Sequence, residues 1–367
     1  MNQDQPPGLP HDFAQQDEQF ARAFALLYDG IRRHVTPGAA LAVTLRGRLI
    51  AWRALGRFTY VPDSPAVQPE TVFDLASVTK AVATTTMAML LYERGELKLH
   101  AKVSDFFREF RDGGKADVTI GMLLSHSSGL PAYEKLFLRC STRRQLLGAA
   151  AAAPLVYPPG SRSEYSDLGF ILLGEILTQV AGEDIASFTW PYIFQPLGMH
   201  SAVYRPAPRL RSGIPPTQDD REYRRRVIQG EVDDENASVM GGVAGHAGLF
   251  ANARDLALFA ECILRSGSPI LKPETVRSFT TRRSYPPGTH FALGWDTPSH
   301  PSQSGRHLSA RAFGHLGYTG TSLWIDPASQ LSITLLTNRT WPHRESQQIK
   351  QLRPAVHDAI LEALDEI

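Results

Sequence analysis

Cysteine is nearly absent from this chain: Cys140 and Cys262 are the only two in 367 residues. Two thiols allow one disulfide at most, which excludes a disulfide framework or a cysteine-rich zinc cluster, and two buried free thiols are the expected state. A dominant charge is lacking too. Lys and Arg number 38 against 37 Asp and Glu, a formal net charge of +1, so no overall field draws the chain to nucleic acid or to an anionic membrane. No run approaches the roughly 20 apolar residues needed to cross a bilayer. The opening, MNQDQPPGLPHDF, has neither the basic nor the apolar region of a secretory signal, and with Met1 as the start the expected location is the cytoplasm. Internal repeats are missing, and low complexity is confined to GAAAAAP, Gly148 to Pro154.

What remains is an ordinary soluble composition, 43% hydrophobic and 20% charged, with length for a large core in one domain or two intimate ones. Phe13, Phe20, Phe24, Leu27 and Ile31 recur at helical spacing and predict a helix ending before Thr36-Pro37-Gly38. ALAVTLRGRLIAWRALG predicts two strands turning at Arg46-Gly47-Arg48, and SLWIDPASQLSITLLTN a second pair turning at Asp326-Pro327. A final helix carries Leu352, Val356, Ile360 and Leu364. This arrangement predicts an α+β fold in which both termini build one antiparallel sheet flanked by helices. Residues 1–80 and 249–367 would form that part. Residues 81–248, mostly helical pattern broken by loops, would form an inserted part, with the active site in the cleft between them. Within the insertion, residues 205–235 are a Pro- and Arg-rich connection that reads as a surface excursion or a lid. Its DREYRRR run is interleaved with acids and reads as a solvated face.

One charge is out of place. In FDLASVTKAVATTTMAMLL, Phe73 to Leu91, Lys80 is the lone charge after Asp74, and Ser77 lies one helical turn before it. Positions three apart share a helix face. With Gly95 as a stop, Ser77 falls in the first turn, where free N–H groups and the helix dipole favour negative charge. A lysine in a dry site loses affinity for its proton and becomes a base for a neighbouring hydroxyl, the requirement of acyl transfer. The alternative is a snorkelling lysine beside a capping serine.

Four further stretches decide between them. FDLASVTK, MLLSHSSGLP, YSDLGFILLGEIL, GGVAGHAGLF and GHLGYTGTSLWIDP, in this order over residues 38–338, together resemble the serine β-lactamase and penicillin-binding-protein superfamily, nearest its class C-like branch of D,D-peptidases, D-aminopeptidases, peptidoglycan amidases and family VIII carboxylesterases. The resemblance implies a β-lactamase/transpeptidase-like fold and a two-step acyl-enzyme hydrolase of esters or amides. Ser77 would be the nucleophile. Lys80 would help deprotonate it, and Tyr165 would relay protons with its pKa lowered by Lys80. The backbone N–H groups of Ser77 and Tyr318 would form the oxyanion hole. Asp167, His315, Gly317 and Thr319 would meet the substrate, and Gly314 and Gly317 would let substrate backbone approach the edge strand.

Two positions depart from the family pattern. Asp167 stands where Tyr-x-Asn has its amide, and an ionised carboxylate only accepts hydrogen bonds. His315 stands where most lactamases carry lysine. Both argue for weak cephalosporin turnover and leave esters, amides and muropeptides as substrates, with a carboxylesterase or peptidase the leading reading. A β-lactamase or a D,D-carboxypeptidase or muropeptide amidase is the alternative; a non-catalytic sensor keeping the fold is the rival of another class. His126 and His246 read as loop-ordering residues. EVDDENA, Glu231 to Ala237, matches neither an EF-hand nor a zinc helix, and the histidines at 290, 300, 307 and 315 are spaced too widely for a ligand set. Neither a metal nor an organic cofactor is expected, and the partner is a small ester, amide or muropeptide.

Overall fold

The computed structural model describes residues 9–112, 114–299 and 301–365. Residues 1–8 and 366–367, assigned above to the terminal part, and His300 lie outside the described residues. Local sequence builds the terminal strands simply. Strands β1 (Gly38–Leu45) and β2 (Arg48–Gly56) meet with Leu45 opposite Arg48. Arg46 and Gly47 between them both take positive φ, the two-residue turn whose twist matches a hairpin. Near the other terminus lie β3 (Phe313–Leu316), β4 (Ser322–Asp326) and β5 (Leu331–Thr337). All pair antiparallel in the spatial order β2-β1-β5-β4-β3, so the two termini do join in one sheet, along β1 and β5, with Leu41 opposite Leu335.

Both faces of this sheet are covered, which is why β5 is buried at every position. Leu41, Val43, Ile333 and Leu335 point to a core shared with helix α1 (Ala21–Arg32) and the C-terminal helix, Ile349–Asp365. Ala40, Ala42, Leu323 and Leu336 point the other way, to the larger core. There the packing helix is Ala253–Leu264, carrying Leu256, Phe259 and Ala260. The period of two thus sorts one strand's side chains between two cores. The predicted first helix is shorter than its pattern: it breaks at Phe20, and Phe13 packs against the larger core instead.

The segment from 81 to 248 is mainly helical, and three short strands, Phe73–Asp74, Val203–Tyr204 and Leu249–Ala251, form a small sheet at its junction with the terminal part. Phe73 lies opposite Ala251 in it, so the chain just before Ser77 pairs with the chain that follows residue 248. The Arg-rich connection carries a hairpin, Pro216–Asp220 with Arg226–Gln229. Within DREYRRR the arginine at 224 turns inward to a buried pair with Asp220, at 2.8 Å, so this run is not solvated throughout. Cys140 and Cys262 are buried free thiols. Among the described residues, no helix is long and apolar enough to cross a membrane.

Candidate active site

Ser77 sits directly before the helical stretch, which starts at Val78, runs through a π-helical segment Lys80–Thr85 and continues as α2 (Thr86–Glu93). π-helical turns occur mostly at functional positions. Gly95 follows with φ +75°, the expected stop. Ala76, immediately before the serine, has φ +47°, a left-handed conformation costing an L-residue roughly 1–2 kcal/mol. The Asp74 carboxylate accepts the N–H of Ala76 at 2.8 Å and holds this turn.

Lys80 is fully buried. Its Nζ lies 2.9 Å from Ser77 Oγ, 2.6 Å from Asp167 Oδ1 and 3.0 Å from the main-chain oxygen of His246. Glycine makes the last contact possible. A Cβ on Gly245 would lie 2.1 Å from the carbonyl of Phe170, and one on Gly174 would lie 2.7 Å from Gly245 Cα. Only bare backbone lets the GGVAGHAG loop approach the helix α3 (Asp167–Ala181) closely enough to present that oxygen. Burial pulls the Lys80 amine below its ordinary pKa, opposed in part by Asp167 and, farther off, Asp234. As an ammonium, Lys80 fills the three contacts with its three N–H groups; after loss of a proton, two N–H groups would still reach Asp167 and His246 and the lone pair would be left for the serine hydroxyl.

YSD, Tyr165 to Asp167, opens α3. Ser166 is its N-cap, accepting the N–H of Gly169, and Asp167 occupies the first turn, where the helix dipole favours a carboxylate. Lys80 Nζ lies 4.9 Å from the centre of the Tyr165 ring. Burial and the Asp167 carboxylate push the Tyr165 phenol well above its ordinary pKa, against the pull of a hydrogen bond with Ser77. This reverses the direction expected from Lys80 alone: Asp167 offsets the ammonium charge and desolvation disfavours a phenolate. Tyr165 is therefore a proton donor at neutral pH.

The two histidines nearest Tyr165 are neutral. His126 Nδ1 accepts the N–H of Ser166 at 3.1 Å, its ring stacks 4.7 Å from Tyr165, and burial drives its pKa well below ordinary. This is the loop-ordering role expected. His315, on β3, bonds the carbonyl of Leu316 through Nδ1 at 2.9 Å, and burial lowers its pKa to about 3. His246 pairs with Asp234 at 2.8 Å, but it also brings its main chain to Lys80, which residue-type reasoning missed.

Among the described residues, neither Ser77 nor Tyr318 uses its backbone N–H in a main-chain hydrogen bond. Gly317 lines the cavity, and its bare backbone is required by the protein's own packing: a Cβ there would lie 1.9 Å from Thr321 Oγ1 and 2.6 Å from the Leu75 carbonyl. Gly314 is likewise crowded by β4. The glycines let the edge strand close onto the nucleophile turn. Thr319 also departs from expectation. It is fully buried, does not line the cavity, and donates its hydroxyl to the carbonyl of Asp74 at 2.8 Å.

Ser77, Tyr165, Asp167, His315, Gly317 and Tyr318 all open on one cavity of about 1180 Å³. Tyr133, Phe137 and the hairpin residues 218–223 also line it, with the Tyr223 ring tilted 4.7 Å from that of Phe137. The acids of EVDDENA form ion pairs beside this cavity: Arg344 reaches Asp233 at 3.0 Å and Glu235 at 2.6 Å, and Asp234 holds His246. No metal-binding cluster occurs among the described residues. Of the cavity-lining residues, sequence reasoning missed Tyr133, Tyr223, Arg339 and Arg344, and it also missed Asp74, which holds the turn before Ser77 from outside the cavity. Asp74 alone had a signal, an acid three residues before the serine in an otherwise apolar stretch.

Comparisons with known proteins give the family and the fold. A family model described as Beta-lactamase matches residues 16–357. An N-acetylmuramyl-L-alanine amidase of Bacillus subtilis (strain 168) is 35% identical, over 83% of this chain and 77% of the relative. A protein of Escherichia coli (strain K12), named provisionally as a D-alanyl-D-alanine carboxypeptidase, is 33% identical over 74% of this chain and 70% of its own. Among solved structures, EstCE1, a hydrolase with promiscuous acyltransferase activity, superposes with a TM-score of 0.76 at 23% identity, over 95% of this chain and all of that one.

Proposed function

The chain belongs to the β-lactamase family of serine hydrolases, and from that premise we propose that it cleaves an amide or ester by two-step acyl transfer, with Ser77 as nucleophile and a muropeptide amide as the substrate class. The observation that carries the assignment is Lys80. A fully buried amine 2.9 Å from Ser77 Oγ, with two other contacts already accepting its hydrogens, is held as a base for that hydroxyl.

In the proposed sequence Ser77 Oγ gives its proton to Lys80 Nζ and attacks the substrate carbonyl carbon. The resulting oxyanion is received by the N–H groups of Ser77 and Tyr318. Tyr165, protonated in the resting site, gives its proton to the departing amine or alkoxide as the bond to carbon breaks. The Lys80 ammonium then returns a proton to Tyr165, which leaves an acyl-Ser77 ester and a neutral amine. Water enters, loses a proton through the same pair, attacks the ester carbon and releases the acid and Ser77.

The cavity favours a substrate larger than a simple ester. Its volume is at or above the upper end for drug-sized ligands, and its walls carry both acids and arginines. A muropeptide, polar and bearing charge of both signs, matches such walls, and the amidase at 35% identity supports the class. Neutral His315 and Asp167, committed to Lys80, leave little at these two positions to bind the acidic group of a cephalosporin.

The test is labelling with a fluorophosphonate and hydrolysis of p-nitrophenyl butyrate. One labelled serine, lost together with turnover in Ser77→Ala, is the expected result. Unchanged turnover in that variant overturns the nucleophile, and a wild-type protein that neither labels nor turns over supports a binding module instead.

A further inference from the structure

One residue touches the chain on both sides of the oxyanion site without touching the cavity. Asp74 is buried and absent from the cavity lining. Its carboxylate accepts the N–H of Ala76 at 2.8 Å through Oδ1 and the N–H of Asp233 at 2.7 Å through Oδ2. Its own carbonyl accepts the hydroxyl of Thr319 at 2.8 Å, and the next carbonyl, Leu75, accepts that of Thr321 at 2.9 Å. Thr319 directly follows Tyr318, and Ala76 directly precedes Ser77. Thr337 on β5 closes the arrangement by donating to the Thr319 carbonyl at 2.8 Å.

We propose that Asp74 is a positioning residue that sets the two backbone N–H donors, of Ser77 and Tyr318, at the spacing an oxyanion requires. The inference rests on the reading of those two groups as the oxyanion hole. The physical case starts from Ala76. An alanine at φ +47° relaxes unless its surroundings over-determine it, and the hydrogen bond to Asp74 is the local constraint. Relaxation would rotate the peptide whose N–H belongs to Ser77. On the other side, Gly317 leaves no room between the Leu75 carbonyl and the edge strand, so the Thr319 and Thr321 hydroxyls lock the two segments in register. Oxyanion donors work because they are aimed before the reaction begins, at no cost of reorganisation.

The carboxylate is itself in a costly environment. Burial and the charges of Asp233 and Asp234 raise its pKa to about 7. Of the charged groups on that side, Arg344 is committed to Asp233 and Glu235 rather than to Asp74. A buried carboxylate spending both oxygens on main-chain N–H groups is expensive for a role that a serine or asparagine cap fills elsewhere, which points to a demand for rigidity at this turn.

The experiment compares p-nitrophenyl butyrate with its thionoester, whose sulfur is a poor acceptor for oxyanion donors. Wild type should prefer the oxygen ester by about 100-fold or more in kcat, the size expected for donor interactions. Asp74→Ala should lower kcat on the ester about 30-fold with KM within about threefold, and lower kcat on the thionoester by less than about threefold. Asp74→Asn keeps an acceptor for Ala76 but not for Asp233, so it should show the same selective loss at about fivefold. If Asp74→Ala does not fold, as its melting curve will report, the asparagine variant decides. Equal losses on both substrates, or none, with wild-type preference intact would overturn the role of Asp74 alone. A wild-type enzyme indifferent to the sulfur would overturn the oxyanion reading and this inference with it.

Discussion

The two walls of the cavity are made differently. Around Ser77, Lys80 and the β3 edge the ties run from short or buried side chains to main-chain oxygens: the carbonyls of Asp74, Leu75, His246 and Thr319 accept from Thr319, Thr321, Lys80 and Thr337, and Gly245 and Gly317 admit the close approach. Around the hairpin and Arg344 the ties include ion pairs and an aromatic contact. Arg344 spans Asp233 and Glu235, Arg224 pairs with Asp220, and Tyr223 packs at a tilt against Phe137 while remaining exposed. Backbone contacts leave few rotamers to reorganise, as bond-making requires. Side-chain contacts at a rim can be exchanged without disturbing that geometry, as changing specificity requires. On the proposed function, chemistry falls to the first region and recognition to the second.

The strongest way to break this division is at Lys80. Lys80→Ala should lower kcat on p-nitrophenyl butyrate by about 1,000-fold, within the range for a lost general base, with KM changed by less than about threefold. A large KM effect would mean that the lysine holds substrate rather than moving protons. A gentler cut is on the opposite wall. Tyr223→Ala should raise KM for a muropeptide about fivefold and leave kcat within about twofold, since stacking at an exposed rim is worth roughly 1 kcal/mol. If kcat falls instead, the hairpin takes part in chemistry and the division fails.

The smallest effect concerns stability alone and sharpens the comparison by separating fold from site. His357, on the C-terminal helix behind β4, is fully buried, and burial lowers its pKa to about 4. The unfolded chain binds a proton there below about pH 6.5 while the folded chain does not, so stability is lost as pH falls from about 6.5 to about 4. His357→Gln has no such titration. The melting temperature of wild type relative to this variant should therefore drop by a few degrees between pH 7 and pH 4. A constant difference would show that the imidazole titrates alike in the folded and unfolded chains.

Much of the fold was legible because its signals are local. The turn at Arg46-Gly47 and the two strand pairs on either side of the chain follow from the geometry of a few neighbouring residues. The first helix was less legible, since Phe13 continues the helical spacing yet packs against a different core. At the site, Ser77 and Lys80 were legible by helical spacing and Tyr165 by motif. Thr319 and Gly317 were legible as positions but not as roles. A hydroxyl or a missing Cβ does not show from the sequence whether it faces a substrate or a neighbouring carbonyl.

That distinction separates what the sequence determined from what the tertiary structure decided. By itself the sequence determined a serine and a lysine on one helix face, a sheet joining the two ends of the chain, and a tyrosine at the start of a buried helix. The tertiary structure decided the protonation states: Lys80 drawn down, Tyr165 pushed up and His315 kept neutral. It also decided that the carbonyl of His246 meets Lys80, and that Asp74 holds the turn before Ser77 with its carboxylate and Thr319 with its carbonyl. Desolvation and backbone approach depend on what surrounds a residue in space, and that is known only once all segments have packed.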